Sequence, residues 1–392
     1  MQRFEIIRTR VFQELKGDIV IWLIVSFLAA FSLMAVYSST ESLAYKFHGG
    51  NTEYYLIKHL MILIGGFALT YACHQLYYMK YSKVAPILII LSIPLLLLTL
   101  IYGQEYNDAR RWLAVPGLGI TMQSSDFAKL ALIIYVARTI AFKQEVIKDF
   151  RGAFLPIIVP ILIVCALIAP ADLSSAVILF LTCLTMMFIG RIDLKYITVL
   201  IVLGIFVLAI IIAIGFVFED AVRVSTWASR INAFFNDAEG GYQIQQAQVA
   251  IAEGGWFGVG PGQSTQNNYL PSAYADFIYA LICEEYGLLG GAFVVLLYLA
   301  LVFRCIRLVT RSPKTFGAML AMGLCLSLVF QAFAHIAVSV HLVPATGLTL
   351  PLVSMGGTSI LFTCISFGMI LSVSKYIERL SEETQLEVAR TN

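Results

Sequence analysis

Long apolar runs alternate with short polar connections along the whole chain. Predominantly apolar stretches fall at about 18–39, 55–75, 84–103, 124–142, 153–169, 174–190, 197–218, 276–303, 316–341 and 358–374. Roughly twenty apolar residues cross a bilayer as a helix, so the pattern predicts ten transmembrane helices. Lipid offers the backbone no hydrogen-bond partner, and the alternating ten-residue segments of a membrane barrel are absent. The fifth and sixth runs are short and separated only by Pro170-Ala171-Asp172-Leu173, which predicts a tight helical hairpin. The expected fold is an all-α polytopic membrane protein. It has an arm over 1–17, a single ten-helix domain over 18–377 with a large loop at 219–275 between helices seven and eight, and a tail over 378–392.

Composition agrees. The chain is 59% hydrophobic and 13% charged, against about 25% charged in soluble domains. A net charge of +2 gives no electrostatic basis for nucleic acid as a partner. The seven cysteines lie in or beside apolar runs without a CxxC and read as small buried hydrophobes. The five histidines show no metal-ligand spacing. No small-residue cleavage site follows the first run, so no signal peptide is expected.

Charge then orients the chain. Of the 26 lysines and arginines, Lys46, Arg110, Arg111, Arg223 and Arg230 fall on one side, and Lys58, Lys129 and Arg138 fall within spans. The rest share a side with both termini, which are therefore expected in the cytoplasm. The loops 104–123, 170–173, 219–275 and 342–357 are expected outside, and with them the chemistry.

Those loops hold the candidate groups. Arg110-Arg111-Trp112 pairs two guanidinium forks, which match phosphate oxygens, with an indole suited to the headgroup region; interfacial anchoring is the alternative. Lys129 sits inside the fourth span, where an ammonium needs a carboxylate or phosphate partner. Asp172 is either that partner or the N-cap of the following helix. Asp276 runs from a polar loop directly into an apolar span, so burial and nearby cations would tune it as a proton acceptor; its alternative is a helix cap. Glu284-Glu285, about two turns deeper, are expected to satisfy buried polar groups or to pair with a cation. Gly258-Val259-Gly260-Pro261-Gly262 lacks a following GK[ST] and predicts a tight, close-approaching turn rather than a P-loop. Val222–Phe235 reads as a helix lying in the interface or packed outside the bundle. Gly241–Ile251 reads as a helix whose Gln243, Gln245 and Gln246 face a sugar-binding groove or solvent. One candidate base, several cations and a polar loop fit group transfer from a lipid-linked phosphate donor.

At these residues the chain resembles the SEDS family of peptidoglycan polymerases, over essentially its whole length. Asn107–Trp112 (NDARRW) resembles NGARRW, Gln123–Lys129 (QSSDFAK) resembles QPSEFAK, and Pro170–Ala176 (PADLSSA) resembles QPDLGTA. Gly241–Gln248 resembles the GYQ…QS segment. Gly258–Gln266 (GVGPGQSTQ) resembles the GxGPGxSxQ form of the division members. Tyr269–Phe277 (YLPSAYADF) resembles YLPEAHTDF, and Pro344–Thr358 (PATGLTLPLVSMGGT) resembles PTTGLPLPFVSYGGT. Asp108, Ser124 and Asp126 stand where the family has Gly, Pro and Glu. Ser272, Tyr274 and Ala275 replace Glu, His and Thr before Asp276.

The resemblance implies ten transmembrane helices in the bacterial cytoplasmic membrane, at the division septum. It implies polymerisation of lipid II into β-1,4-linked glycan by an inverting glycosyltransferase, with a divalent cation (Mg or Mn) and no organic cofactor. The implied partners are a class B penicillin-binding protein, other division proteins and membrane lipids. Asp276 takes the place of the essential acidic residue. Arg110, Arg111, Lys129, Gln123, Arg230, Gln243, Ser264, Gln266, Thr346 and Ser354 become expected substrate contacts. Gly258, Gly260, Pro261, Gly262, Pro344, Gly356 and Gly357 become expected backbone-shaping positions. No metal ligand is assigned. Two alternatives remain: a lipid II flippase, for which intramembrane Lys129 would mark a pathway, and a non-catalytic scaffold for the cross-linking enzyme.

Overall fold

The computed structural model describes residues 16–106, 109–115, 120–217, 224–236, 241–270 and 272–391. Each of the ten apolar runs falls on a helix. They are α1 (Ile19–Ser39), α3 (Thr52–Gln75), α4 (Met79–Tyr102), α5 (Ser124–Phe142), α6 (Leu155–Ile168), α7 (Leu173–Ile189), α8 (Leu194–Val217), α12 (Ile278–Arg311), α13 (Thr315–Ser339) and α14 (Thr358–Thr391). Among the described residues eight helices are long and apolar enough to cross a membrane, α6 being one of them together with the π-helical turn Phe150–Phe154 that leads straight into it. The two that fall short have visible reasons: α5 carries Asp126, Lys129 and Arg138, and α7 has only 17 residues. Shorter helices connect them: α2 (Glu41–His48), α9 (Val224–Asn236), α10 (Tyr242–Gly254) and α11 (Ala273–Asp276).

The all-α expectation needs one correction. Three antiparallel strands pair in sequence order between residues 104 and 123, β1 (Gln104–Tyr106), β2 (Ala109–Val115) and β3 (Ile120–Gln123). Pairing of Trp112 with Gln123 carries the Arg111-Trp112 dipeptide to the start of α5. The strands are too short to show alternation in the sequence.

The termini meet at the basic face. Asp18 caps α1, its carboxylate accepting from Val20 N at 2.9 Å, and holds the Arg304 fork at 2.7 and 2.6 Å. Lys16 pairs with Glu382 at 2.7 Å. The tail expected from 378 is a continuation of α14, and 1–15 of the arm lie outside the described residues.

Two irregular segments shape the opposite face. The first is a break in α12 at Gly287, where φ is 69° and ψ −171°. The carbonyls and N–H groups freed there are taken by the Gly-rich loop. Val259 N donates to Glu284 O at 2.9 Å and Gly260 N to Glu285 O at 3.1 Å, while Leu288 N reaches Gly255 O at 2.8 Å. Gly258 has φ of 82°, and a Cβ there would run into the Glu285 carbonyl. Only glycine allows both that φ and that approach, so the close turn read from the sequence is a helix-break clamp.

The second is the segment 342–357, expected as an outer loop. Its middle is instead buried: Leu348, Leu350, Leu352 and Val353 are all at most 4% exposed. Irregular backbone inside a membrane bundle must have its carbonyls satisfied by protein, and side chains from three helices do this. His335 Nδ1 donates to Leu348 O at 2.7 Å, Gln331 Nε2 to Thr349 O at 2.9 Å, Tyr298 OH to Pro351 O at 2.6 Å and Ser32 Oγ to Val353 O at 2.8 Å.

Candidate active site

These two segments and the β-meander surround a cavity of about 370 Å³. Arg111, Gln123, Lys129, Arg230, Asp276, Gly356 and Gly357, all named from the sequence, line it together. They come from β2, β3, α5, α9, α11 and the segment before α14, so the cavity is assembled from widely separated parts of the chain.

Asp276 ends α11, a single turn entered through Ser272 in a left-handed conformation (φ 57°). The helix-cap reading fails, because Phe277 occupies the cap of α12. Two clips hold the turn to the buried loop: Met355 N donates to Tyr274 O at 3.0 Å, and Ser354 Oγ to Ala275 O at 2.7 Å. The Asp276 carboxylate is half-buried and accepts no hydrogen bond from any described residue. Burial pushes it up to about 6; Arg111 and then Arg230 pull it back, and Asp172 pushes it further. It is therefore mostly ionised at neutral pH, yet basic enough to take a proton.

The cations are placed with different degrees of freedom. Arg111 donates through Nε to Ala171 O at 2.8 Å and faces the Asp172 carboxylate at 3.5 Å. Asp172 is also the N-cap of α7, accepting from Ser175 N at 3.1 Å, so the cap reading holds and its cation is Arg111 rather than Lys129. Lys129 pairs instead with Asp126 one turn earlier, at 2.7 Å. The other Asp126 oxygen is buried without a partner. Arg230 sits on α9, donates to Ala345 O at 3.3 Å, and is lowered by its burial and by Arg111. α9 turns this residue to the cavity while Ile231 and Phe235 stay exposed, as in a helix lying on lipid. The Arg110 side chain, Asn107, Asp108 and Arg223 lie outside the described residues.

Other expected contacts are not in the cavity. Ser264, Thr265 and Gln266 wrap the fully buried Glu284 carboxylate: Ser264 Oγ donates at 2.5 Å, Thr265 N at 2.8 Å and Gln266 N at 3.1 Å. Glu285 takes the Ser38 hydroxyl. Both glutamates thus satisfy polar groups of the fold, and among the described residues neither pairs with a cation. Ser354 is a clip, accepting from Leu350 N at 2.8 Å as it donates to Ala275. Gln243 is exposed on α10, whose Ile244, Ala247 and Ala250 pack inward, so its glutamine face is solvated. The Thr346 hydroxyl is buried without a partner, off the lining. Gly258, Gly260 and Gly262 all take positive φ; Pro261 and Pro344 stay in their loops, away from the cavity.

The sequence reading missed Lys58, Tyr274 and Gln331 in the lining. For Lys58 the signal was available, as a lone cation within an apolar span. Among the described residues no three His, Cys, Asp or Glu come together to hold a metal. A divalent cation here would need phosphates to complete its shell, since Mg²⁺ commonly binds through one or two carboxylates plus substrate oxygens, and Asp126 is the lining carboxylate that would take part.

Comparison with known proteins agrees with this architecture. The chain is 34% identical over 330 residues to a probable peptidoglycan glycosyltransferase FtsW of Nitrosococcus halophilus, covering 83% of this chain and 84% of that one. It is 34% identical over 379 residues to the protein of the same description from Trichlorobacter lovleyi (94% and 96%). It is 30% identical to stage V sporulation protein E of Bacillus subtilis (92% and 97%). Two solved structures share the fold: a chain of a peptidoglycan synthase complex that coordinates polymerization and crosslinking (TM-score 0.71, 22% identity, 92% and 98% covered), and the rod shape determining protein RodA of Thermus thermophilus (0.62, 21%, 92% and 97%). A family description shared by FtsW, RodA and SpoVE, cell cycle protein, matches residues 18–379. The chain belongs to this FtsW/RodA/SpoVE family of cell cycle proteins.

Proposed function

We propose that the chain is a peptidoglycan glycosyltransferase that polymerises lipid II into β-1,4-linked glycan for the division septum, with Asp276 as general base. The observation that carries this reading is the Asp276 carboxylate, left without a hydrogen bond among the described residues, on a cavity wall shared with Arg111 and Arg230. The named activity of relatives 34% identical over most of both chains supports the reaction class.

The donor is the growing strand, α-linked to a polyprenyl pyrophosphate. The acceptor is the 4-hydroxyl of the terminal N-acetylglucosamine of lipid II. Asp276 accepts the hydroxyl proton as the oxygen bonds to the donor's anomeric carbon, and the pyrophosphate leaves with the bonding electron pair. One displacement inverts the anomeric centre and gives the β-linkage. Arg111, its fork oriented by Ala171 O and Asp172, and Arg230 offset the charge that builds on the leaving group. A divalent cation, when bound, would add to that offset, held by Asp126 together with substrate phosphates.

The chain would act at the outer face of the bacterial cytoplasmic membrane. Its partner would be a class B penicillin-binding protein, a pairing supported by the synthase complex that shares its fold.

The test is purified protein, with and without that partner, given fluorescent lipid II and divalent cation and read as glycan ladders. Wild type is expected to make ladders. Asp276→Asn is expected to fold and bind the partner and to make none. Ladders of ordinary length from the Asn variant would remove Asp276 as the base.

A further inference from the structure

Three of the cavity cations are already engaged by the protein. Arg111 is held by Ala171 O and Asp172, Lys129 by Asp126, and Arg230 by Ala345 O. Lys58 is different. It lines the same cavity, is exposed, and has no hydrogen bond or ion pair with any described residue. It lies six residues into α3, about 9 Å along the axis at the usual helical rise. On one side of it along the helix surface, Ile57, Met61 and Ile64 are exposed apolar side chains, as on a face turned to lipid. On its other side, Tyr55, His59 and Leu63 are buried in the bundle. Lys58 and Ile62, one turn on, occupy the seam between those faces, and both line the cavity together with Ser359 at the start of α14. An ammonium at that depth is costly without an anion, and the described chain supplies none.

We propose that Lys58 binds the pyrophosphate of a membrane-borne polyprenyl substrate at a lateral mouth of the cavity, between α3 and the start of α14. The head group enters past Lys58 while the polyprenyl chain stays in lipid against Ile57, Met61 and Ile64. Lys58 is a binding residue remote from the proton transfer. The identity of the substrate rests on the polymerase reading above; the anion site does not.

Two measurements test it. In the ladder assay with partner, Lys58→Ala raises KM for lipid II about tenfold, the ratio a single charge-assisted contact carries, with kcat unchanged. Lys58→Arg restores KM. Lys46→Ala, an exposed lysine on α2 outside the cavity, changes neither. In the second, phosphatidylcholine nanodiscs are doped with either undecaprenyl pyrophosphate or phosphatidylglycerol, and binding is followed by a fluorophore on the protein. The pyrophosphate lipid binds wild type and loses about tenfold in affinity to Lys58→Ala, whereas phosphatidylglycerol at equal charge binds neither. An unchanged KM in Lys58→Ala, a fall in kcat that Lys58→Arg fails to restore, or equal binding of phosphatidylglycerol would each overturn the proposal, the last reducing Lys58 to a headgroup anchor. If wild type makes no glycan at all, the polymerase reading fails, and the nanodisc arm alone decides Lys58.

Discussion

Asp276 and Glu284 stand eight positions apart on one stretch of chain, and their surroundings are opposite. Glu284 is fully buried and saturated: a hydroxyl from Ser264, two backbone N–H groups and the Thr265 hydroxyl all point at it. Asp276 is half-buried, accepts nothing from the described chain, and looks across an open cavity at two arginines. A carboxylate whose lone pairs are all used holds a structure together. One whose lone pairs are left bare in a built cavity is available to a substrate. Both acids belong to the same largely apolar run, and what separates them is the set of partners each meets in the fold.

The sharpest break in that comparison is at Asp276. Asp276→Asn is expected to lose about 10²–10⁴ in polymerisation rate, measured on lipid II in vitro. Wild-type kcat/KM should fall as pH drops below about 6, where the carboxylate becomes protonated. Stability should move the other way. Because burial raises this carboxyl from 3.8 to about 6, the folded protein holds its proton more tightly than the unfolded chain does. Stability from this group is complete below 3.8 and is lost as pH rises through about 6. Asp276→Asn should therefore melt higher than wild type at pH 7.5, and the difference should vanish near pH 4.

Glu284→Ala should invert the pattern. It strips four donors of their acceptor, of which the Gln266 N–H is buried, at about 1–3 kcal/mol for that group alone. The melting temperature in detergent should fall steeply, while the protein that remains folded turns over normally. A catalytic defect without a stability defect would erase the distinction drawn between the two acids.

Arg111→Lys should cost about tenfold in rate, because a single ammonium cannot both donate to Ala171 O and present a fork to phosphate. Full activity would reduce Arg111 to an anchor of β2 on the hairpin before α7. The smallest effect is expected at Ser354→Ala, which leaves Leu350 N bare and frees Ala275 from the loop, for about 1–2 kcal/mol. A drop in melting temperature should accompany a modest fall in kcat, with KM for lipid II unmoved. A rise in KM alone would return Ser354 to the substrate contacts.

The helices were legible because lipid imposes a one-dimensional contrast that the chain must repeat at every crossing. The shared place of Asp276, Arg111, Lys129 and Arg230 on the cavity lining is legible because charge beside apolar surface is costly and therefore informative. The places of Ser264, Gln266 and Ser354, off that lining, are not legible for the opposite reason. A hydroxyl or amide suits a sugar and a buried carboxylate equally well, and the choice is made by a partner elsewhere, 79 residues away in the case of Ser354 and Ala275. The depth of the segment 342–357 is not legible because its Pro, Gly and Thr content marks irregular backbone but not how far it is buried. The small sheet at 104–123 was invisible because strands of three, seven and four residues leave no periodicity to detect.

The fastening of 342–357 also orders the assembly of the molecule. Every side chain that takes a carbonyl of this loop is made before it: Ser32 is 321 residues upstream of Val353, and Tyr298 is 53 upstream of Pro351. Ser32 and Tyr298 are therefore made well before the piece that fits them, and Gln331 and His335 only just before it. The loop in turn pins the Asp276 turn through Met355 and Ser354, so that carboxylate acquires its setting only when the last tenth or so of the chain arrives. Neither half of the protein contains the cavity, and a chain stopped after α13 would leave helices in the bilayer with no chamber between them.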